Sequence, residues 1–217
     1  MQLGNKGACA VGLKWRDTTL AFINCHFAAR PERVPQREHD YRQITSKLHL
    51  TADRGLDVMH QFEHLFWFGD LNYRIELPFE ETVALHEQGK WAEIAQHDQL
   101  LREMGRRRIF TGFEEGQLNF PPTYRWSKKT REFSNKRGQS PSWCDRILWR
   151  SFKGAKPDLS LECFGGADLL GSDHRPVKAS FTLNLRKACV TAPACPLPAP
   201  RARTRVRSHT QPHVAHA

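Results

Sequence analysis

A run of four large apolar residues, Leu65 to Phe68, restricts the fold of this chain more than any other feature of the sequence. Such a run is typical of a β-strand that is buried on both faces, which requires further layers of structure on each side of a sheet. Gly69 predicts the end of this strand, and Asp70 and Asn72 follow. In extended backbone these two side chains point to the same side, beyond the carboxyl end of a core strand, where layered α/β folds place active sites.

Asp70 and Asn72 together suit the handling of a water molecule. The carboxylate is able to accept a proton from water, while the neutral amide holds that water or a substrate oxygen without competing for the proton. An ordinary Asx turn after the strand explains the same residues, because Gly-Asp is a common turn sequence. Both interpretations stay open on this segment alone.

Hydrophobic periodicity predicts an α/β domain around this strand. Residues 8–13 and 19–27 are expected to form a hairpin, and alternation over residues 177–183 predicts another strand. Helical spacing predicts helices over residues 36–50, from Pro78 onward, and over residues 91–104, ending at Gly105. A chain of 217 residues is long enough for one such domain.

The charge of the chain is uneven. The formal net charge is +10, and the segment after residue 183 carries six basic residues and no acid, so the body retains 10 − 6 = +4. That excess suits a polyanionic substrate or an anionic membrane surface, and it is too small to indicate nucleic acid. Residues 186–217 are rich in Pro, Ala and Arg and are predicted to form a disordered tail.

The cysteines and the amino terminus favour a cytoplasmic protein. None of the six cysteines forms a C-x-x-C pair, and the first residues do not resemble a secretory signal. Without a transmembrane run, any contact with a membrane is expected to be peripheral.

Asp145 is a second candidate catalytic carboxylate. It lies in Ser142-Trp143-Cys144-Asp145-Arg146, at the start of an apolar strand, where a carboxylate is costly unless it is paired. His174, in Ser172-Asp173-His174-Arg175-Pro176, is the expected partner. Such a carboxylate fixes the histidine tautomer and favours the imidazolium, which stabilises negative charge on a phosphoryl oxygen.

Other segments carry polar groups suited to anions. Asn5 and Lys6 lie between two glycines, and His26 ends a predicted strand, although a turn and a structural histidine explain these residues equally well. Between residues 125 and 137 six basic residues stand against one acid, next to Tyr124 and Trp126. A solvated loop is one interpretation, and a site for several phosphates is the other.

In their order and spacing, these motifs resemble the inositol polyphosphate 5-phosphatases, and most of all the SH2-containing branch. The two specific motifs are Trp-Phe-Gly-Asp-Leu-Asn-Tyr-Arg at residues 67–74 and Pro-Ser-Trp-Cys-Asp-Arg at residues 141–146. The resemblance covers about residues 2–183 and implies a partial catalytic domain over residues 1–185. The implied fold is the four-layer α/β sandwich of the exonuclease, endonuclease and phosphatase superfamily.

The resemblance implies Mg2+-dependent hydrolysis of the 5-phosphate of phosphoinositides or inositol polyphosphates, by direct attack of water. In this comparison Asp70 activates the water, Asn72 holds it, and His174 with Asp145 stabilises the phosphoryl oxygens. Asp173 supports the metal side indirectly and His26 contacts the scissile phosphate. The remaining residues implied in substrate binding are Asn5 and Lys6 at the 1-phosphate, and Tyr124, Arg125, Lys136 and Arg137 at a neighbouring ring phosphate.

One departure from the family pattern concerns the metal. The family carries an Asn and a Mg2+-binding Glu upstream of the Gly-Asn-Lys-Gly loop, and this sequence begins just before that loop, so we expect it to lack both residues and the first strands of the sandwich. A phosphoinositide-binding fragment without catalysis is therefore an alternative. A cysteine phosphatase built on Cys144 and Arg150, and a nuclease of the same superfamily, are further alternatives.

Overall fold

The computed structural model describes residues 5–52, 55–136 and 138–185. Arg137 and the predicted tail at residues 186–217 lie outside the described residues. The strands are β1 (Gly7–Trp15), β2 (Thr18–His26), β3 (His64–Asp70), β4 (Glu114–Glu115), β5 (Asp145–Ser151), β6 (Leu159–Gly166) and β7 (Val177–Leu183). The helices are α1 (Val34–Lys47), α2 (Phe79–Glu87), α3 (Trp91–Ala95) and α4 (Gln99–Gly105), with 3-10 turns at Val58–His60 and Lys156–Asp158.

The strands form two sheets. The larger sheet has the order β1-β2-β3-β5-β4, and β6 and β7 form a separate antiparallel pair. Within the large sheet only β2 and β3 run parallel, and α1 lies in the connection between them, as a parallel crossover requires. The hairpin β1–β2 and the alternating strand β7 confirm the sequence-based predictions.

The large sheet is buried on both faces. On one face Trp67 packs against Tyr41 of α1 and against Phe110, with ring centroids 5.3 and 5.2 Å apart. On the other face Phe66 and Trp149 each contact Phe181 of the small sheet, at 5.0 Å in both cases. A helical layer and a second sheet therefore enclose β3, which confirms the prediction of a buried strand in an α/β sandwich.

Gly69 does not end β3, contrary to the sequence-based prediction. The strand continues through Gly69 to Asp70, with Gly69 paired to Cys25 of β2. Gly69 has φ +126°, and a Cβ atom there would lie 2.1 Å from the carbonyl oxygen of Cys25. Glycine is needed here because the backbone is left-handed and close to its neighbour, so that pairing reaches the catalytic candidate Asp70 without interruption.

The predicted helix over residues 91–104 is wrong as a single helix. It divides into α3 and α4, and Asp98 caps α4 by accepting the Leu101 N–H at 2.9 Å. Both Asp98 oxygens also lie within 3.0 Å of Arg146 Nη1, deep in the interior. The chain breaks the helix at this point because one carboxylate serves as the cap and as the partner of a buried guanidinium.

β1 is an outermost strand of the large sheet, and within the described part of the chain it is paired on one side only. Its side chains are mostly exposed, including large apolar groups at Val11 and Trp15.

No helix among the described residues is long and apolar enough to cross a lipid bilayer.

Candidate active site

Strand register brings three polar side chains to one edge of the large sheet, the edge at which strands β2 and β3 end and β5 begins. His26 at the end of β2 pairs with Asp70 at the end of β3, and Asp70 pairs with Asp145 at the start of β5. His26 Nε2 lies 3.1 Å from Asp70 Oδ2. The buried apolar strands thus fix the relative positions of these groups.

His174 joins this edge from the segment before β7. Its Nδ1 donates to Asp145 Oδ2 at 2.8 Å, and Asp145 Oδ2 also accepts a hydrogen bond from Thr123 Oγ1 at 2.8 Å. The predicted pairing of Asp145 with His174 is therefore present. Because Nδ1 carries the donated proton, the second ring nitrogen is available to the cleft.

The pKa values at this edge move in opposite directions. Burial disfavours the imidazolium of His174, but the hydrogen bond and negative charge of Asp145 outweigh burial and raise its pKa. Burial, followed by the charge of Asp145, raises the pKa of Asp70, and burial lowers the pKa of His26. Asp70 is therefore a stronger base than an ordinary aspartate. The histidine beside it, His26, favours its neutral form, whereas His174 in the same cleft favours its charged form.

Asn72 reaches the site in a different conformation from the one predicted. Its φ is +56°, not extended, and its N–H donates to Asp70 Oδ1 at 3.0 Å, so the Asx turn is also present. Its amide is engaged on both sides, because Nδ2 donates to the carbonyl of Phe27 and Oδ1 accepts from Arg74 Nη2 at 2.7 Å. Asn72 thus fixes the orientation of the Asp70 carboxylate through its backbone.

Tyr124 and Arg74 form one wall beside His174. The rings of Tyr124 and His174 are 4.5 Å apart, and the Arg74 guanidinium lies 4.8 Å from the centre of the Tyr124 ring. Arg74 also donates to Gln139 Oε1 at 2.8 Å. Stacking on a buried cation holds the tyrosine against the histidine.

The first loop contributes Lys6 next to His26. Lys6 Nζ contacts His26 Nε2, the same nitrogen that approaches Asp70. Burial lowers the pKa of Lys6. Asn5 is exposed in the same loop. An amine at this position adds positive charge to the edge of the sheet at which a phosphate is expected.

The basic loop, residues 125–137, has some side chains that contact residues of the site and others that are exposed to solvent. Arg125 Nε donates to Asp173 Oδ2 at 3.2 Å, so Asp173 has a cationic partner. Lys136 is exposed, and Arg137 lies outside the described residues. The metal-side role of Asp173 and the ring-phosphate roles of Tyr124, Arg125, Lys136 and Arg137 stay predictions.

An open cleft of about 180 Å³ lies at this edge of the sheet. Five predicted residues line it, namely His26, Asp70, Asn72, Tyr124 and His174. The sequence analysis missed Arg30, Arg74 and Gln139, which also line it. Arg74 ends the motif that contains Asp70, so its position was a usable signal, whereas nothing near Gln139 marks it in the sequence.

The described residues do not form a complete metal centre. They contain no group of three or more His, Cys, Asp or Glu side chains placed to hold a metal ion. Mg2+ in proteins keeps several waters and takes few carboxylates besides substrate oxygens, and Asp70 and Asp145, which pair across β3 and β5, do not make up such a set.

Cys144 does not fit the role of a nucleophile. It is fully buried, its Sγ faces the carbonyl oxygen of Tyr73 at 3.7 Å, and burial raises the pKa of the thiol well above its ordinary value. A catalytic thiol requires the opposite shift and access to substrate. The cysteine-phosphatase alternative therefore loses its structural basis.

Comparison with known proteins gives matches over most of the chain. Residues 1–180 match the model of endonuclease/exonuclease/phosphatase family 2. The human phosphatidylinositol 3,4,5-trisphosphate 5-phosphatase 1 is 38% identical over 196 residues, covering 82% of this chain and 16% of the relative. The zebrafish (Danio rerio) 5-phosphatase 2A is 34% identical over 208 residues, covering 89% and 16%. The chain thus spans about a sixth of the length of these relatives.

Solved structures show the same fold. The inositol polyphosphate 5-phosphatase domain of SPsynaptojanin, in complex with inositol (1,4)-bisphosphate and a calcium ion, superposes with a TM-score of 0.74 and 36% identity, covering 83% of this chain and 53% of that chain. A Cimex nitrophorin in its ferrous NO complex has a TM-score of 0.64 and 24% identity, covering 83% of this chain and 65% of that chain. The fold is therefore common to proteins with different ligands, and the chemistry depends on the side chains of the site.

Proposed function

Because the chain belongs to the endonuclease/exonuclease/phosphatase family and is homologous to its inositol polyphosphate 5-phosphatases, we propose that it hydrolyses the 5-phosphate of a phosphoinositide or an inositol polyphosphate. The observation that carries this proposal is that Asp70 and His174 line one cleft and that His174 is hydrogen-bonded to Asp145. A base and a charged hydrogen-bond donor on the same cleft suit direct displacement at phosphorus.

In the proposed reaction Asp70 acts on the attacking water. Its raised pKa favours proton transfer from water to Asp70 as the new oxygen–phosphorus bond forms and the bond to the 5-oxygen of the ring breaks. The departing 5-oxygen takes up a proton from solvent and becomes a ring hydroxyl. The backbone N–H of Asn72 holds one oxygen of this carboxylate, which orients the other oxygen. His26, whose Nε2 lies next to Asp70, is proposed to contact the scissile phosphate, and Lys6 contacts the same ring nitrogen of His26.

His174 stabilises the charge that builds on the phosphoryl oxygens. Asp145 holds Nδ1 at 2.8 Å, raises the histidine pKa and directs the other ring nitrogen to the cleft. A preorganised charged donor of this kind stabilises the transition state more than the ground state. Asp145 is a positioning residue, because it acts through His174.

Substrate recognition is assigned to the cationic groups around the cleft. Asn5 and Lys6 are proposed to contact the 1-phosphate, and Tyr124, Arg125, Lys136 and Arg137 a neighbouring ring phosphate. The exposure of Lys136 supports contact with a highly charged ligand. The same loop is proposed to approach an anionic membrane surface from the cytoplasm.

Mg2+ is the proposed cofactor, by analogy with the family and with the calcium-bound structure of SPsynaptojanin. The described residues provide an incomplete ligand set, so the steps above use only side chains of this chain. This incompleteness also favours the second candidate function, binding of a phosphoinositide without turnover.

Phosphate release separates these two functions. The full chain is incubated with inositol 1,4,5-trisphosphate, or with vesicles containing phosphatidylinositol 3,4,5-trisphosphate, with Mg2+ or with EDTA. We expect Mg2+-dependent release that Asp70→Asn lowers about 100-fold or more, as for loss of a general base. Asp17→Asn, in the exposed turn between β1 and β2, is the matched control and keeps full activity.

Calorimetric binding of the same substrates completes the test. Binding without phosphate release would support the non-catalytic alternative and overturn hydrolysis. Release that persists in Asp70→Asn would overturn the proposed site even if the chain is a phosphatase.

A further inference from the structure

A second cavity lies next to the residue that follows His174. Its volume is about 440 Å³, within the range of about 300–1,000 Å³ typical of small-molecule sites. His174 lines the catalytic cleft, whereas Arg175 lines this second cavity. Adjacent residues of an extended segment point to opposite sides, so one stretch of chain serves two separate spaces.

Arg175 lines this cavity and has one donor without a partner among the described residues. The residue is only 5% exposed, and its Nη1 and Nη2 donate to the carbonyls of Ser172 and Thr130 at 2.9 and 2.8 Å. Its buried Nε has no hydrogen-bond partner. A buried N–H without an acceptor is costly, and a ligand oxygen in the cavity would remove that cost.

Asp168 only half satisfies the cations around it. Its Oδ2 lies 2.7 Å from Arg131 Nε, but its Oδ1 is 3.8 Å from Arg175 Nε, too far for a hydrogen bond. The side chains of Arg131 and Asp168 are 72% and 53% exposed, so they form an open rim above the buried Arg175. Asp168 therefore leaves Arg175 Nε without a hydrogen-bond acceptor in the described part of the chain.

The charge and shape of the cavity restrict its ligand. Two guanidinium groups and one carboxylate give a net charge of +1, which a carboxylate balances and a phosphate monoester exceeds. Arg175 and Phe133 lie against the Trp126 ring, at 4.6 and 4.0 Å, so the indole is occupied by contacts within the chain. The rest of the lining is His86, Pro121, Gly166 and Ala167, of which the last three suit an aliphatic group.

We propose that this cavity binds a small aliphatic carboxylate, with its head group on Arg175 Nε and Arg131 and its apolar body against Pro121, Gly166 and Ala167. Binding there requires no turnover of a phosphate ester, so the site is independent of the proposed hydrolysis.

Calorimetry of the full chain with hexanoate tests the site. We expect saturable binding of hexanoate, weaker binding of hexanol because it lacks the carboxylate, and weaker binding of inorganic phosphate because it lacks the apolar body. Arg131→Gln is expected to weaken hexanoate binding about fivefold or more, since a charged hydrogen bond is lost. Asp168→Asn is expected to strengthen it about two- to fivefold, since the competing exposed ion pair is removed.

Two further variants locate the binding. Arg42→Gln, which removes an exposed arginine from an ion pair on α1, is the matched control and should leave the affinity unchanged. His174→Ala should also bind hexanoate normally, because it alters only the catalytic cleft. The proposal is overturned if hexanoate does not bind, if Asp168→Asn weakens binding, or if His174→Ala abolishes it.

Discussion

His174 derives its proposed role from the residue behind it. Asp145 accepts hydrogen bonds from His174 and Thr123 through one oxygen, so its carboxylate is held before any substrate arrives. The charge of Asp145 opposes the effect of burial and keeps the imidazolium favoured. A single partly buried carboxylate therefore determines both the tautomer and the charge of the group that is proposed to face the phosphate.

Asp145→Asn tests this dependence through pH. The raised pKa of His174 means that its charged form persists to higher pH and is lost as pH rises through that pKa. Removing the Asp145 charge lowers the pKa, so the alkaline fall in kcat/KM should move to lower pH. The measurement is the pH profile of phosphate release, and a profile that only decreases in height would contradict the positioning role.

The ionised carboxylate of Asp70 is expected to lower the free energy of unfolding at neutral pH. Its pKa is raised in the folded chain, so the folded state binds this proton more tightly than the unfolded state, and stability falls as pH rises through the unfolded and then the folded pKa. Asp70→Asn should therefore raise the urea midpoint at pH 7, with the gain vanishing below the ordinary aspartate pKa of about 4. An equal or lower midpoint at pH 7 would contradict this pKa direction.

At the level of single residues, the sequence predicted a contact where one side chain needs another as its partner. Asp145 enters an apolar strand, and a buried carboxylate needs a partner, so its pairing with His174 was predictable. At Asn72 the sequence left extended backbone and an Asx turn both open, and the structure has the turn, with φ +56°. Gln139 approaches Arg74 only through the fold, since 65 positions separate them along the chain.

Among the secondary-structure elements, α4, β4 and β5 are connected by one buried cation. Arg146 of β5 contacts Asp98, the cap of α4, and Glu115 of the two-residue strand β4 at 2.6 Å. All three side chains are almost completely buried. Such a short strand gains few backbone pairs, so this ion pair is a substantial part of what holds it in the sheet.

Arg146→Met is expected to destabilise the chain by about 3–5 kcal/mol, because it leaves two buried carboxylates without their cation. Urea denaturation followed by tryptophan fluorescence measures the change. The control Arg42→Met removes an exposed pair on α1 and should change the free energy of unfolding by about 1 kcal/mol or less. Equal effects of the two substitutions would contradict the structural role of Arg146.

The strength of the local pattern determined which elements were predictable. β3 and β7 have clear apolar patterns and appeared as expected. β6 was missed because a register shift between Leu161 and Cys163 interrupts its alternation and two glycines end it. The break between α3 and α4 contains no glycine or proline, since it depends on the distant Arg146.

Across the whole molecule, positive charge is exposed on the basic loop. Lys128, Lys129, Arg131 and Lys136 are all exposed, and only Arg131 has an acidic partner, Asp168, among the described ion pairs. The loop borders the proposed active site through Tyr124 and Arg125. A surface of this kind orients an enzyme on an anionic bilayer.

The double variant Lys128→Gln, Lys129→Gln is expected to weaken binding to phosphatidylserine vesicles, since each basic residue near such a surface contributes about 1 kcal/mol. Cosedimentation at low and high salt measures the effect, which screening should reduce. Lys47→Gln with Lys153→Gln, on other exposed positions, is the control. Equal losses in both double variants would indicate a diffuse charge effect and not a membrane-facing loop.

The sandwich as a whole was predictable only through the resemblance to a known family. Periodicity indicated strands and helices, but the stacking of two sheets depends on contacts such as Phe66 with Phe181, which are 115 positions apart. The likeness to nitrophorin shows that this architecture carries unrelated ligands, so the fold alone does not predict phosphate chemistry.

The alignment of β2, β3 and β5 has a consequence for how the chain tolerates change. A one-residue slip of β5 would remove Asp145 from its place opposite Asp70 and turn Trp149 away from Phe181 at the same moment. Substitutions in the interior, far from the cleft, are therefore expected to disturb the alignment of Asp70 and Asp145, so that the proposed activity would also report on how well the interior is packed.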